Sequence, residues 1–328
     1  MTTPETKIIT NSQNSRLVIS NYGATITELT IIDKHKKPVN VVVSLDSPDA
    51  YTKDSYITHD LYLGCSVGRY AGRISNKKEN SFLKDCKLTF KEGVHLHGGT
   101  HGFDKKYWAF EPQLSSNTVQ LSYMSKHMEE GYPGNLNITV TYTLTEANEV
   151  VIEYTATTDK DTYVNLTNHA YYNLNGQHSI LDHELQIASN HYLEVNAELI
   201  PTGKILPTLN SKYDRLSTSV IGRSDFDGYD DTFILNDVTK NVTLYAPATG
   251  IKMDVVTNQP AMVVYTPKVF PKINFKDNAV YTKYPAICFE TQQYPDAPNN
   301  AQFPSTLLTP GMIYKNKSCF AFSVLTEN

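Results

Sequence analysis

The sequence predicts an all-β protein, a large antiparallel β-sandwich with few short helices, and three observations predict it. Segments of alternating apolar and polar residues recur along the chain, the clearest being Ile138, Val140, Tyr142 and Leu144 set among threonines. Composition leans the same way, with 22 tyrosines against one tryptophan and abundant Thr and Val. No amphipathic helix, tandem repeat, low-complexity run or linker breaks the pattern. With 328 residues, 40% of them hydrophobic, a sizeable core is possible. The chain is expected to be one domain, 1–328, because large all-β chains often stay undivided.

Taken in order, residues 16–32 read as short strands broken at Asn21-Tyr22-Gly23, followed by a charged turn and a strand over 39–45. Residues 51–60 are polar and irregular and read as a surface loop. A meander follows over 119–123, 136–144 and 149–157, with turns at Gly131-Tyr132-Pro133-Gly134 and Glu146-Ala147-Asn148. The segment 151–164 reads as one long strand, with Ile152, Tyr154 and Ala156 on one face and Val151, Glu153 and Thr155 on the other. Residues 185–195 read as a further strand, and Pro201-Thr202-Gly203 as a turn. Residues 216–229 show no period and are expected to wrap the surface. Three short strands are expected at 242–247, 251–257 and 261–266. A buried strand over 286–293 runs into Glu290, and the proline-containing loop 294–300 cannot continue it.

Net charge, 29 minus 34 or −5, argues against nucleic acid or an anionic membrane as partner. The cysteines Cys65, Cys86, Cys288 and Cys319 show no paired spacing, so reduced thiols in a cytoplasmic protein are expected. Residues 1–20 hold no basic segment followed by an apolar run, and no stretch approaches the roughly 18 apolar residues of a membrane helix.

Chemistry concentrates in a few places. The run from Leu166 to Gly176 packs His169 among amides and tyrosines, where an imidazole suits proton transfer near neutral pH. The Gly64–Ile74 stretch holds two of the five arginines, Arg69 and Arg73, among three glycines. Glycine lets a backbone approach a ligand, and arginine offers a fork of donors. His95 and His97, one residue apart, point the same way on a strand, with His101 on the loop beyond; no carboxylate or cysteine lies close enough in sequence to complete a metal site, and no metal is expected. Asp230 and Asp231 precede an apolar strand, and Glu290 ends one. One acid and one base, without a nucleophile in a recognisable setting, suit a reaction made of proton transfers alone.

Five motifs then carry a resemblance. They are Gly68-Arg69-Tyr70-Ala71-Gly72-Arg73-Ile74; Leu96-His97-Gly98-Gly99 with Gly102-Phe103-Asp104-Lys105; Thr167-Asn168-His169-Ala170-Tyr171-Tyr172-Asn173-Leu174; Gly228-Tyr229-Asp230-Asp231-Thr232-Phe233; and Glu290-Thr291-Gln292-Gln293-Tyr294-Pro295-Asp296-Ala297. In this order, across nearly the whole chain, the sequence resembles the aldose 1-epimerase (galactose mutarotase) family. The resemblance implies that family's β-supersandwich and anomer interconversion of hexoses such as galactose and glucose. It implies His169 as general acid on the ring oxygen and Glu290 as general base on the C1 hydroxyl, with Arg73, His97 and Asp230 holding the sugar. No cofactor is implied, the partner is a small aldohexose, and the assembly is a monomer or homodimer. Two departures bear on substrate preference: many members carry Asn where this chain has Gly72, and many carry Gln in the strand that here holds Val263. The competing expectations are a sugar-binding module on the same fold, a glycoside hydrolase using two carboxylates, and a hexose-6-phosphate epimerase, which wants clustered cations.

Overall fold

Alternation becomes sheet where it is clearest in the computed structural model, which describes residues 3–76, 86–112, 115–236 and 239–326. The meander forms Thr118–Ser125, Leu136–Leu144 and Glu149–Thr158; the even-numbered apolar residues of the second and third strands are buried as expected, as are Val119 and Leu121 of the first. These strands belong to a nine-stranded sheet whose order is Ser219–Val220, Glu184–Ile187, Val242–Tyr245, Ile251–Thr257, Tyr314–Val324, Glu149–Thr158, Leu136–Leu144, Thr118–Ser125 and Ala109–Phe110. A six-stranded sheet runs Tyr171–Tyr172, Ile287–Gln292, Ala261–Tyr265, Asp230–Ile234, His191–Val195 and Pro201–Pro207. Residues from both sheets, among them Val140, Tyr142, Ile152, Phe320 and Phe322 from one and Phe233, Met262, Val264, Ile287 and Phe289 from the other, share one core. A four-stranded sheet from Thr6–Thr10 to Pro38–Asn40 adds Ile9, Leu17, Ile19, Ile26 and Leu29 to it. Among the described residues, helix is confined to short 3-10 turns and the four-residue helix Asp54–Ile57. This is the all-β antiparallel architecture the alternation predicts.

The six-stranded sheet buries one face in that core and turns the other toward the site. Its cross-strand register sets Glu290 opposite Val263, and Val263 opposite Thr232, in one row. Short paired strands lie beside that face. Ser66–Val67 pairs with Thr167–Asn168, and Arg73–Ser75 pairs with Val94–Leu96.

Three local expectations are corrected. Residues 185–195 are two strands, Glu184–Ile187 and His191–Val195, in different sheets. The break is made at Ser189, whose backbone carbonyl and side chain tie it to Thr208 and to the carbonyl of His191. Pro201-Thr202-Gly203 starts the edge strand Pro201–Pro207 instead of turning, which edge position tolerates proline. The long strand ends at Thr158, and Thr162–Tyr163 and Thr167–Asn168 pair elsewhere.

Candidate active site

His169 is placed by its backbone before its ring is used. Its N–H donates to the Cys65 carbonyl at 2.9 Å, and its carbonyl accepts the Gly64 N–H at 3.0 Å. The preceding Asn168 fixes the turn: its amide donates to the Gly64 carbonyl at 2.8 Å and its oxygen accepts the Ala170 N–H at 3.1 Å. The imidazole stacks on Tyr171, with ring centres 5.0 Å apart, and meets Tyr62 and His97 at 5.7 and 5.4 Å. Its Nε2 lies 3.5 Å from Glu290 Oε1, and both side chains are buried. Residues 121 positions apart in sequence thus meet as one pair.

Arg73, His97 and Asp230 gather round that pair. Arg73 Nη2 lies 3.4 Å from Asp230 Oδ2. His97 Nδ1 accepts the Gly72 N–H at 3.2 Å, so its neutral ring carries hydrogen on Nε2 and is a donor. These residues, with Gly72, Thr232, Val263, Glu290 and Pro295, line a cleft of about 390 Å³ including its open mouth, closed on one side by Val195, Leu199 and Pro201. Asp230 lines the cleft, whereas Asp231 accepts the Tyr213 hydroxyl at 2.9 Å outside it, which separates the two adjacent acids.

Burial dominates the electrostatics. It lowers the His169 pKa to about 4, and it raises that of Glu290 to about 8, helped by Asp230 and opposed by Arg73. It also drives His97 well below the usual imidazole range, with any charge on His169 and the charge of Arg73 adding to the effect. Between the two limits the His169–Glu290 pair carries one proton.

Other sequence candidates separate from the site. Arg69 is buried and spends its guanidinium on structure, donating to the carbonyls of Pro133, Gly134, Ser125 and Lys126 and to the hydroxyls of Ser125 and Thr162. His95 and His97 do not point the same way. The strand stops at Leu96, and His97 takes a left-handed backbone with φ 50°. His95 bonds the Thr89 carbonyl through Nδ1 and packs against Tyr132, while His101 is exposed. The imidazole group that does assemble, His97 and His169 with Glu290, presents three ligand atoms within 4.8 Å of one another, close enough to surround a cation. Sequence reasoning missed Tyr62, Thr232 and the apolar wall of Val195, Leu199 and Pro201. Thr232 lay inside a motif read for its aspartates; Val195 at a strand end, Leu199 in the turn after it and Pro201 at the start of the edge strand carried no signal.

An all-β scaffold bearing a buried imidazole–carboxylate pair, with its carboxylate lining a cleft beside Arg73, His97 and Asp230, has the make-up of an acid–base site for a small polar molecule. The family model described as aldose 1-epimerase matches residues 6–320, and the chain belongs to that family. It is similar to galactose mutarotase of Rattus norvegicus, 38% identical over 93% of this chain and 90% of the relative. It is also similar to aldose 1-epimerase of Escherichia coli strain K12, 30% identical over 96% of this chain and 95% of the relative. Among solved structures, the GalM/aldose epimerase homologue from C. elegans superposes with a TM-score of 0.87 at 27% identity, covering 98% of this chain and 100% of that one. No helix among the described residues is long and apolar enough to cross a membrane.

Proposed function

We propose that this member of the aldose 1-epimerase family interconverts the α and β anomers of a neutral aldohexose such as galactose or glucose, working as one domain, with His169 as general acid and Glu290 as general base. The observation that carries this reading is the buried 3.5 Å contact between His169 Nε2 and Glu290 Oε1. The ring oxygen and the anomeric hydroxyl hang on the same carbon, so the acid and base that serve them must converge, as these two groups do.

The resting pair holds one proton. Sugar hydroxyls donating to Glu290 favour its ionised form, and the proton it gives up has His169 within reach. Glu290 then takes the proton of the C1 hydroxyl while His169 protonates the ring oxygen, and the C1–O5 bond breaks. The products are an aldehyde and a C5 hydroxyl. Rotation about C1–C2 turns the other face of the carbonyl toward that hydroxyl. On closure His169 takes back its proton, Glu290 returns the other to the former carbonyl oxygen, and the enzyme is restored. Neutral His97 donates to a substrate oxygen through Nε2, Arg73 donates beside it, and Asp230 accepts from ring hydroxyls. Arg69 is occupied by backbone carbonyls, so among the described residues Arg73 is the one arginine lining the cleft, which favours a neutral sugar over a hexose 6-phosphate. Polarimetry on α-D-galactose, α-D-glucose and glucose 6-phosphate tests the reading. Glu290→Gln is expected to lose about 100- to 10,000-fold in kcat. Retention of most activity by that variant removes Glu290 as the base.

A further inference from the structure

Two residues beyond Glu290, on the same face of the strand Ile287–Gln292, lies a second polar side chain that the mechanism above leaves unused. Gln292 is fully buried, and neither its amide nitrogen nor its amide oxygen has a hydrogen-bond partner. A buried amide left unpaired is costly, so such a group calls for a specific reason. Its neighbours supply one. A Cβ built on Gly72 would lie 3.1 Å from Gln292 Nε2 and 3.2 Å from Pro295 Cβ, and Gly72 and Pro295 both line the cleft. The glycine therefore keeps free the space between the Gln292 amide and the cleft. The sheet register locates that space. Gln292 is in the row of Ala261, Glu290 in the row of Val263 and Thr232, and Asp230 in the row of Tyr265 and Cys288. Gln292 and Asp230 thus flank the Glu290 row on opposite sides.

We propose that Gln292 is a further substrate-binding residue, its carboxamide taking one sugar hydroxyl on the side of the cleft opposite Asp230, where the missing side chain at Gly72 gives it access. The inference rests on the anomer-interconverting reading of the site. Gln offers both a donor and an acceptor, so a hydroxyl can pair with both, whereas a carboxylate or phosphate would leave the amide oxygen unpaired. In this chain it supplies polar recognition that neither Gly72 nor Val263 can supply through a side chain.

The test compares wild type with Gln292→Met, which keeps length and volume and removes both polar atoms. Anomerisation rates are measured on α-D-galactose and its 2-, 4- and 6-deoxy forms. The variant is expected to lose roughly tenfold in kcat/KM on galactose, and to match wild type on the one deoxy sugar that lacks the contacted hydroxyl. Its thermal midpoint is expected to hold or rise, because the variant buries no unpaired polar atom. An unchanged kcat/KM on galactose, or the same fractional loss on every sugar, overturns the proposal. A wild-type protein that accelerates no anomer exchange defeats the parent reading instead; calorimetric binding of galactose then decides on Gln292, with a weaker affinity in the variant supporting it and equal affinity overturning it.

Discussion

Glu290 and His169 each lose more from leaving water than they regain from their neighbours, which is why one titrates near 8 and the other near 4. The consequence is a broad window in which the pair holds one proton. Below about 4 both groups are protonated and no base remains; above about 8 both are deprotonated and no acid remains. A plot of kcat/KM against pH is therefore expected to be flat between those limits and to fall on each side, the limbs belonging to the pair. A profile that instead falls through pH 6.5 as a free imidazole would separate His169 from Glu290 functionally. Gly72 makes a second residue-scale case. Its φ of +78° is a region that side chains with a Cβ rarely adopt, and Asn does so more readily than others. Glycine, and after it asparagine, is therefore the residue this backbone favours. Gly72→Ala is expected to destabilise by about 1–2 kcal/mol in urea unfolding, and Gly72→Asn by less; equal losses would show that crowding against Gln292 and Pro295 outweighs backbone strain.

At the scale of elements, the two arginines of the Gly68–Ile74 motif show how far sequence could be read. Their type and setting are alike, yet Arg69 is a buried clamp and Arg73 is partly exposed in the cleft beside Asp230. Only the pairing of Arg73–Ser75 with Val94–Leu96, and the return of Ser125, Pro133 and Thr162 to Arg69, tells them apart. Arg69→Met is expected to cost about 3 kcal/mol by urea denaturation, since it strands several buried acceptors, and to leave the limbs of the pH profile in place. A cost under about 1 kcal/mol would show that water replaces the guanidinium. Strands with one buried face, such as Leu136–Leu144, were legible because alternation reports burial directly. The break inside 185–195 was not, because Ala188 to Asn190 hold no proline or glycine and the two halves part only through long-range pairing. His169, Glu290, His97, Arg73 and Asp230 were legible as chemistry. The turn of His97 away from His95 was not, since a left-handed residue ahead of two glycines cannot be read from side-chain spacing.

For the whole molecule, the same burial that readies the acid–base pair weakens the fold on one side of neutrality. Glu290 has its folded pKa raised from 4.5 to about 8, so the native state keeps a proton that the unfolded chain releases, and this stability is lost as pH rises from 4.5 through 8. His169 has its folded pKa lowered from 6.5 to about 4, so its contribution is complete above 6.5 and is lost as pH falls toward 4. Between 4.5 and 6.5 the two slopes oppose and nearly cancel; between 6.5 and 8 only the Glu290 slope remains. One proton corresponds to about 1.4 kcal/mol per pH unit, so the pair alone removes about 2 kcal/mol of stability over that upper interval. Glu290→Gln carries no ionisable group there. It is expected to be more stable than wild type at pH 8, to match it more closely near pH 6, and to show a flatter dependence of thermal midpoint on pH between them. If wild type and Glu290→Gln instead run parallel from pH 6 to 8, the folded pair binds no more protons over that interval than the unfolded chain does, and the raised pKa of Glu290 is overturned.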